Sequence, residues 1–421
     1  RWAFLPVLRH QDRDMYVRQR LDHFAVGSYQ HDPVLVEAIR PHGQPDDMPA
    51  SNPFDAAAFE PAWQEALSLI PALRQTQIAE AYNGMFSFTP DGFPLIGEAA
   101  DVRGCWVAEA IWIMHAGGAA RAVAELLTHG KSWVDLREAD LNRFEPHVHS
   151  PAYVRARGRQ QYIEVYDIIH PLQPMEEPRP LRKSPFYEQE RQLGAVFFEA
   201  RGWEVPRWYE ANAPLVEHYR PRGRTGWEAR FWSPIVGAEH LATRERVALF
   251  DMTPLPKLEV AGPGALAFLQ RMTTNQLDRP VGSVVYTLML DEAGGIRSDM
   301  TIARLADDRF QIGCNGPLDH HWLRKHLPDD GRVHLRDITG TLCCIGLWGP
   351  RARDVLRSLT DANLSNEAFP YFAARQIFAG EVPVTALRVS YVGELGWELY
   401  APAEYGGRLW DLLWQAGQPH G

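Results

Sequence analysis

The sequence predicts a multidomain protein of mixed α/β and α+β class. Three observations carry this. The chain has 421 residues, more than a single hydrophobic core ordinarily serves. Runs with strand periodicity and runs with helix periodicity alternate at both ends. Between them, Pro171, Pro174, Pro178, Pro180 and Pro185 interrupt regular structure, as a connector does.

Residues 1–30 hold three short strand-like runs, an antiparallel pattern with Tyr16 in its middle strand. On that pattern alone, Tyr16 is an aromatic on a half-buried sheet. Residues 31–56, rich in Pro, Asp and His, read as a surface loop. Phe59, Trp63, Leu67 and Ile70 recur at helical spacing, so 57–72 is a helix. Gly104–Ile111 reads as a buried strand, and Ala116–Gly130 as a helix with Gly130 as its stop. Gly117-Gly118 at its start either aim backbone N–H groups at an acceptor or let the helix pack closely on the strand. Tyr162–His170 is a strand or a short helix. Gly262–Met272 is a helix whose Leu266, Leu269 and Met272 form core. Arg351–Leu359 is a helix after the Gly349-Pro350 break, Val384–Tyr391 is a strand delivering Glu394 and Glu398 at the next turn, and Leu409 onward is an amphipathic helix. Glu394 reads as a turn residue rather than a ligand.

Val284–Asp299 reads as a β-hairpin. Val284, Tyr286, Leu288 and Leu290 share one strand face, and Asp291-Glu292-Ala293-Gly294-Gly295 makes the turn. The hairpin brings a phenol and a carboxylate, Tyr286 and Asp299, to one end of a sheet. An ordinary hairpin with a solvated Asp fits the same spacing. A carboxylate among Tyr286, Met300 and Cys314 would be partly desolvated, which raises its pKa and suits it to acid/base work.

Composition narrows the function. Hydrophobic residues make up 45% and charged residues 23%, as in globular proteins. A net charge of −10 argues against nucleic-acid or anionic-membrane partners. No apolar run approaches the roughly 20 residues of a membrane span. The four cysteines, Cys105, Cys314, Cys343 and Cys344, show no zinc or C-x-x-C spacing, and no metal is expected. Adjacent Cys343 and Cys344 would point to opposite faces of a strand. A reducing, cytoplasmic compartment fits. Arg1 opens into a strand in progress and the last helix stops at its cap, which reads as a piece of a longer protein cut at both ends.

The motifs Leu249-Phe-Asp-Met-Thr253, Tyr286 through Asp299, Gln311-Ile-Gly-Cys-Asn-Gly316 and Ser390-Tyr-Val-Gly-Glu-Leu-Gly-Trp-Glu398 resemble, in order, the glycine-cleavage T-protein family of folate-dependent aminomethyltransferases. The resemblance implies that Asp299 is the catalytic acid/base. It implies that Tyr286, Gly313, Cys314, Asn315, Tyr371, Tyr391 and Glu398 contact tetrahydrofolate, Glu398 as a carboxylate accepting N–H groups from the pterin.

Thr89-Pro-Asp-Gly-Phe-Pro-Leu-Ile-Gly97, with the strand and helix after it, resembles the C-terminal part of FAD-dependent amine oxidases of the D-amino-acid-oxidase type. That resemblance puts the loop Ile111, Trp112, Ile113, Met114 beside the flavin ring and Tyr16 over its substrate side. Ser184-Pro-Phe-Tyr-Glu and Gly194-Ala-Val-Phe-Phe198 are similar to the small central domain of dimethylglycine- and sarcosine-oxidising enzymes.

The whole layout resembles the dimethylglycine oxidase family: an FAD domain over 1–133, a connector over 134–205 and an aminomethyltransferase domain over 206–421. It implies FAD and tetrahydrofolate as cofactors, a small N-methylated amine as substrate, and transfer of the methyl carbon to folate. A dehydrogenase with a protein electron acceptor and a non-catalytic folate-binding module stand as alternatives. Two departures matter. No Gly-x-Gly-x-x-Gly follows a leading strand, so the dinucleotide half of the FAD site is missing. The segment carrying the family's folate-facing Arg is missing as well.

Overall fold

In a computed structural model, residues 5–29, 33–36, 51–165, 167–391 and 393–421 are described. Trp2 to Phe4 and most of the 31–56 loop lie outside them. The chain divides into two units, Arg1–Pro178 and Arg179–Gly421.

In the first unit, β1 (Leu8–His10), β2 (Met15–Arg20) and β3 (His23–Ser28) form the expected antiparallel sheet with β2 in the middle. Met15 and Val17 alternate to the buried side of β2, and Met15 packs with Ala66 and Leu67 of α1 (Ala56–Leu69), where the strand face meets one helix stripe. Asp55 caps α1 by accepting from the N–H groups of Ala57 and Ala58, both at 3.0 Å. The short strands β4 (Ser51–Asn52) and β5 (Asn83–Gly84) pair, as do β6 (Leu95–Glu98) and β7 (Trp106–Glu109). β7 was expected to be a buried strand and is mostly exposed, because it belongs to a two-stranded ribbon rather than to a covered sheet.

After β7, α2 (Ala116–His129) ends at Gly130, whose φ of 73° and N–H bond to the Leu126 carbonyl make the αL stop expected from the sequence. The connector carries a helix that its prolines do not suggest, α3 (Pro151–Glu164), and Tyr162 is in its last turn.

The second unit begins with α4 (Tyr187–Gln192) and the hairpin β8 (Ala195–Ala200) and β9 (Trp203–Tyr209), then α5 (Pro214–Tyr219) and α6 (Ile235–Glu245). Next come β10 (Ala248–Asp251), β11 (Lys257–Ala261), α7 (Ala265–Met272), β12 (Val284–Leu290), β13 (Ile296–Ala306), β14 (Arg309–Gly313) and α8 (Pro317–Lys325). The chain closes with β15 (His334–Asp337), β16 (Leu342–Trp348), α9 (Ala352–Arg357), β17 (Ala373–Ala379), β18 (Val382–Arg388), β19 (Gly396–Pro402) and α10 (Gly406–Gly417).

Two five-stranded antiparallel sheets result, ordered β12-β13-β14-β11-β15 and β10-β16-β19-β18-β17. Phe268, Leu269 and Met272 of α7 pack on one sheet with Met289, Met300 and Ile312. Leu409, Trp410 and Leu413 of α10 pack on the other with Ile345, Leu347 and Trp397. A third cluster, with Val284, Ala303, Cys344, Leu387 and Tyr400, draws on both sheets. β16 is covered on both faces: Cys343 lies in the α10-side cluster and Cys344 in the third. Alternation in a strand gives the two thiols that division. Among the described residues no helix is long and apolar enough to cross a membrane.

Candidate functional site

In the second unit the site grows from the β12–β13 hairpin. Its turn is closed by Asp291, whose Oδ1 accepts from the N–H groups of Ala293 and Gly295, both at 2.8 Å. Gly294 takes a φ of 82°, which favours a residue without Cβ. The register pairs Leu288 with Asp299, which places Tyr286 one step along the same face. The Tyr286 hydroxyl donates to Asp299 Oδ2 at 3.0 Å. Asn315, just past β14, donates its Nδ2 to Asp299 Oδ1 at 3.1 Å and to the Asp299 carbonyl at 2.9 Å. The charge of Asp299, through that hydrogen bond, holds the Tyr286 phenol above its ordinary pKa, and burial, Asp299 again and Tyr391 act in the same direction.

One expectation is corrected. Asp299 is exposed, not partly desolvated among Met300 and Cys314. Strand alternation is the reason: Met300 turns to the opposite, core face and joins Met289, and Cys314 belongs to that same core. For the same reason the buried face of β12 is that of Thr287 and Met289, while Tyr286 is 48% exposed. Burial pushes the Cys314 thiol up to about 12. Gly313, the last residue of β14, pairs with Thr301 and Lys257.

Around Asp299 lie residues that sequence reading missed. Asp319, in the first turn of α8, accepts at one oxygen from Ser298 Oγ at 2.7 Å and from the Asn315 N–H at 2.8 Å. Arg201, at the β8–β9 turn, donates to the Asn315 carbonyl. The acidic first-turn position is a visible signal for Asp319. Arg201 lies 114 residues from Asn315, and nothing local announces it.

Glu398 was expected at a turn and instead lies inside β19. Its Oε2 accepts from the Tyr400 hydroxyl at 2.6 Å, and among the described residues Oε1 takes no hydrogen bond. Burial raises its pKa, against the lowering effects of Tyr400 and Lys257. Lys257 is 2% exposed, and its ammonium donates to the carbonyls of Leu255, Thr253 and Met252 at 2.6, 2.9 and 3.3 Å. Tyr371 and Tyr391 are 50% and 94% exposed. Glu394 accepts from the Tyr391 N–H at 3.1 Å, as a turn residue does.

In the first unit, Tyr16 is half-buried in β2 opposite Gly27 of β3. A Cβ at Gly27 would lie 2.3 to 2.5 Å from the Tyr16 ring, so the ring lies over this glycine. Tyr16 neighbours Tyr29 at 6.4 Å between ring centroids, and Tyr29 neighbours Phe86 at 5.5 Å and Tyr162 at 6.0 Å. Phe88 joins Tyr162 at 5.9 Å to Trp112 at 6.2 Å. One aromatic chain thus connects Tyr16 with the loop at 111–114. Phe86, Phe88 and Tyr162 in that chain were not singled out in the sequence.

In the loop, Ile113 and Met114 are 95% and 82% exposed, and Ile111 lines an open apolar trough of about 450 Å³ with Ala108, Ala116, Ala120 and Val123. Among the described residues the α2 N-terminus has no side-chain cap, and a Cβ at Gly117 or Gly118 would meet nothing within 4 Å. Close packing of helix on strand at these glycines is therefore not seen among the described residues. An open helix start beside an apolar trough fits a flat ring with hydrogen-bond acceptors at its edge.

The chain is a two-part protein, a flavin-type half followed by a folate-type half. The chain belongs to the family described as the GCVT N-terminal domain, whose model matches residues 186–421. Residues 1–126 match the FAD dependent oxidoreductase family and 129–184 its central domain. The chain is 33% identical over 424 residues to 4-methylaminobutanoate oxidase (formaldehyde-forming) of Paenarthrobacter nicotinovorans, covering 99% of this chain and 50% of that protein. It is 30% identical to human (Homo sapiens) mitochondrial sarcosine dehydrogenase over 464 residues, covering 99% of this chain and 49% of that one. Human mitochondrial dimethylglycine dehydrogenase is also 30% identical, over 432 residues, 99% of this chain and 48% of its own. The chain spans about half the length of these curated relatives.

Proposed function

We propose that the protein oxidatively demethylates an N-methylated glycine, dimethylglycine or sarcosine, with FAD, and passes the one-carbon unit to tetrahydrofolate, giving 5,10-methylenetetrahydrofolate. In this reading residues 1–133 serve the flavin, 134–205 connect, and 206–421 serve folate. Bound FAD supplies acceptance of a hydride equivalent from the N-methyl carbon. The loop Ile111–Met114 and the α2 N-terminus hold the ring, and Tyr16 orients the amine over it.

In the second half the exposed phenols of Tyr286, Tyr371 and Tyr391 flank the pterin, and the free oxygen of Glu398 accepts from its N–H groups. Asp299, held by Tyr286 and Asn315, would take the proton that the folate nitrogen gives up on bonding the one-carbon unit and return it to the departing amine. Four free thiols favour a reducing compartment, and we take it to be the cytoplasm.

The observation that carries the reading is the meeting of Tyr286 and Asn315 on the two oxygens of Asp299. The test is Asp299→Asn in the full-length protein. Asn keeps the size but cannot exchange a proton near neutral pH. Amine oxidation should continue while transfer slows by about 10²–10⁴-fold, the usual share of a general acid/base. Formaldehyde should then replace methylenetetrahydrofolate at saturating amine and tetrahydrofolate. An unchanged product ratio removes Asp299 from the mechanism.

A second reading, release of the carbon as formaldehyde without transfer, is favoured by the name of the Paenarthrobacter relative. Under it the wild-type protein already gives formaldehyde with tetrahydrofolate present.

A further inference from the structure

We propose that Asp319 is a positioning residue of the folate half: through Ser298 and the backbone of Asn315 it fixes the Asn315 amide as a donor to Asp299. The proposal rests on the reading of Asp299 as the proton-transfer group.

The geometry runs in one direction. An ionised carboxylate only accepts hydrogen bonds. The Ser298 hydroxyl therefore gives its proton to Asp319 Oδ2 at 2.7 Å in preference to the Asp299 carbonyl at 3.3 Å, and its lone pairs are left to accept. Asn315 Nδ2 donates to that oxygen at 2.9 Å, and to Asp299 Oδ1 at 3.1 Å. Asp319 Oδ2 also holds the Asn315 N–H at 2.8 Å, so the backbone of Asn315 directly, and its amide through Ser298, are tied to one Asp319 oxygen. The amide can then show only its NH₂ edge to Asp299. Its Oδ1 takes no hydrogen bond among the described residues and remains an acceptor for a ligand N–H.

A helix cap alone does not explain this arrangement. Asp319 is 5% exposed, whereas a first-turn carboxylate satisfies a helix start equally well in water. Burying it costs free energy and raises its pKa; Asn315, Ser298, Arg201 and Arg297 offset that only in part. Its reward lies outside the helix, at Asn315 and Ser298. The charged or titratable groups around the pair are Arg201 from the β8–β9 turn, Arg297 on β13, Cys314 just past β14, Tyr286 on β12, and Tyr391 between β18 and β19.

Loss of the tether loosens a donor to the charged form of Asp299, and a hydrogen bond to a charged form favours that form. The experiment uses the full-length protein and measures the pH profile of one-carbon transfer to tetrahydrofolate. Asp319→Ala should move the acid limb upward, costing about tenfold in rate below it for each pH unit moved. Asp319→Asn, which keeps an acceptor oxygen, should restore most of the wild-type profile. Asn315→Ala should move the limb further, and Asp319→Ala added to it should move it no more, since the two act through one donor.

If Asp319→Ala fails to fold, Ser298→Ala, which leaves the bond to the Asn315 N–H in place, carries the same cycle with a smaller shift. A shift from Asp319→Ala or Ser298→Ala that is equally large with and without Asn315, or no shift while Asn315→Ala moves the limb, overturns the proposal. Failure of the Asp299 reading shows separately, as an unchanged product ratio in Asp299→Asn.

Discussion

The Tyr286 hydroxyl donates to Asp299 Oδ2 at 3.0 Å across one hairpin, and each residue alters what the other can do. The carboxylate charge opposes a second negative charge on the phenol and holds its pKa up. Asp299→Asn should therefore bring the Tyr286 phenol back toward about 10. NMR of tyrosines labelled with ¹³C at Cζ reads this directly. A Tyr286 titration identical in the two proteins would mean that the pair does not persist in solution.

Gly27→Ala should disturb the other half. The added methyl would sit 2.3 Å from the Tyr16 ring, so the ring must swing away from β3. Displacing a positioning group by about 1 Å can cost on the order of 10²-fold. Flavin reduction by the amine in the full-length protein should slow, as it should in Tyr16→Phe, with tetrahydrofolate affinity unchanged. Rapid-mixing rates equal to wild type in both variants would leave Tyr16 as a half-buried sheet aromatic.

Glu398→Gln should weaken tetrahydrofolate binding by about 1–3 kcal/mol, the range for losing a charged partner of a buried hydrogen bond. Burial raises the pKa of Glu398, so the wild-type contact is complete above that pKa and fades as pH falls through it. Calorimetry should find affinity falling with acidification in wild type and a flatter dependence in Glu398→Gln. Equal affinities across the range would move the pterin contact elsewhere.

What could be read in the sequence was local. The β12–β13 hairpin shows itself because a period of two and a glycine pair lie within one short stretch. α2 shows itself because Gly130 ends it. α3 does not, because what it buries besides Tyr153 is polar: Arg157 and Gln160, three residues apart, bonded to each other at 2.6 Å. A hydrophobic period cannot see such a face. The parity of β12 was legible, but which face meets the core depends on α7 and the neighbouring strands. The tethers on Asn315 come from the β8–β9 turn and the α8 start, and only the folded chain brings them to Asp299.

Glu190 offers a test of stability. It is fully buried on α4, and its Oε1 accepts from the Tyr209 hydroxyl at 3.0 Å. Among the described residues its Oε2 is buried without a hydrogen-bond partner, as is Asp251 Oδ2. Desolvation first, and then the Asp251 charge, push the Glu190 carboxyl up to about 8, against the lowering effect of Tyr209. The sign of the pH dependence follows. In the unfolded chain this carboxyl ionises near the ordinary Glu value, about 4.3. Between there and about 8 the folded protein holds a proton that the unfolded chain has lost. Its contribution is therefore complete below the unfolded pKa and is lost as pH rises through the folded one, by a few kcal/mol in total at about 1.36 kcal/mol per pKa unit. Glu190→Gln, neutral at every pH and able to bond Tyr209, should leave stability near pH 5 little changed and raise it at pH 9. Urea midpoints of the full-length proteins at the two pH values measure the difference. If the two proteins lose stability in parallel from pH 5 to pH 9, Glu190 is already ionised in the folded state, and a water or cation must satisfy its second oxygen.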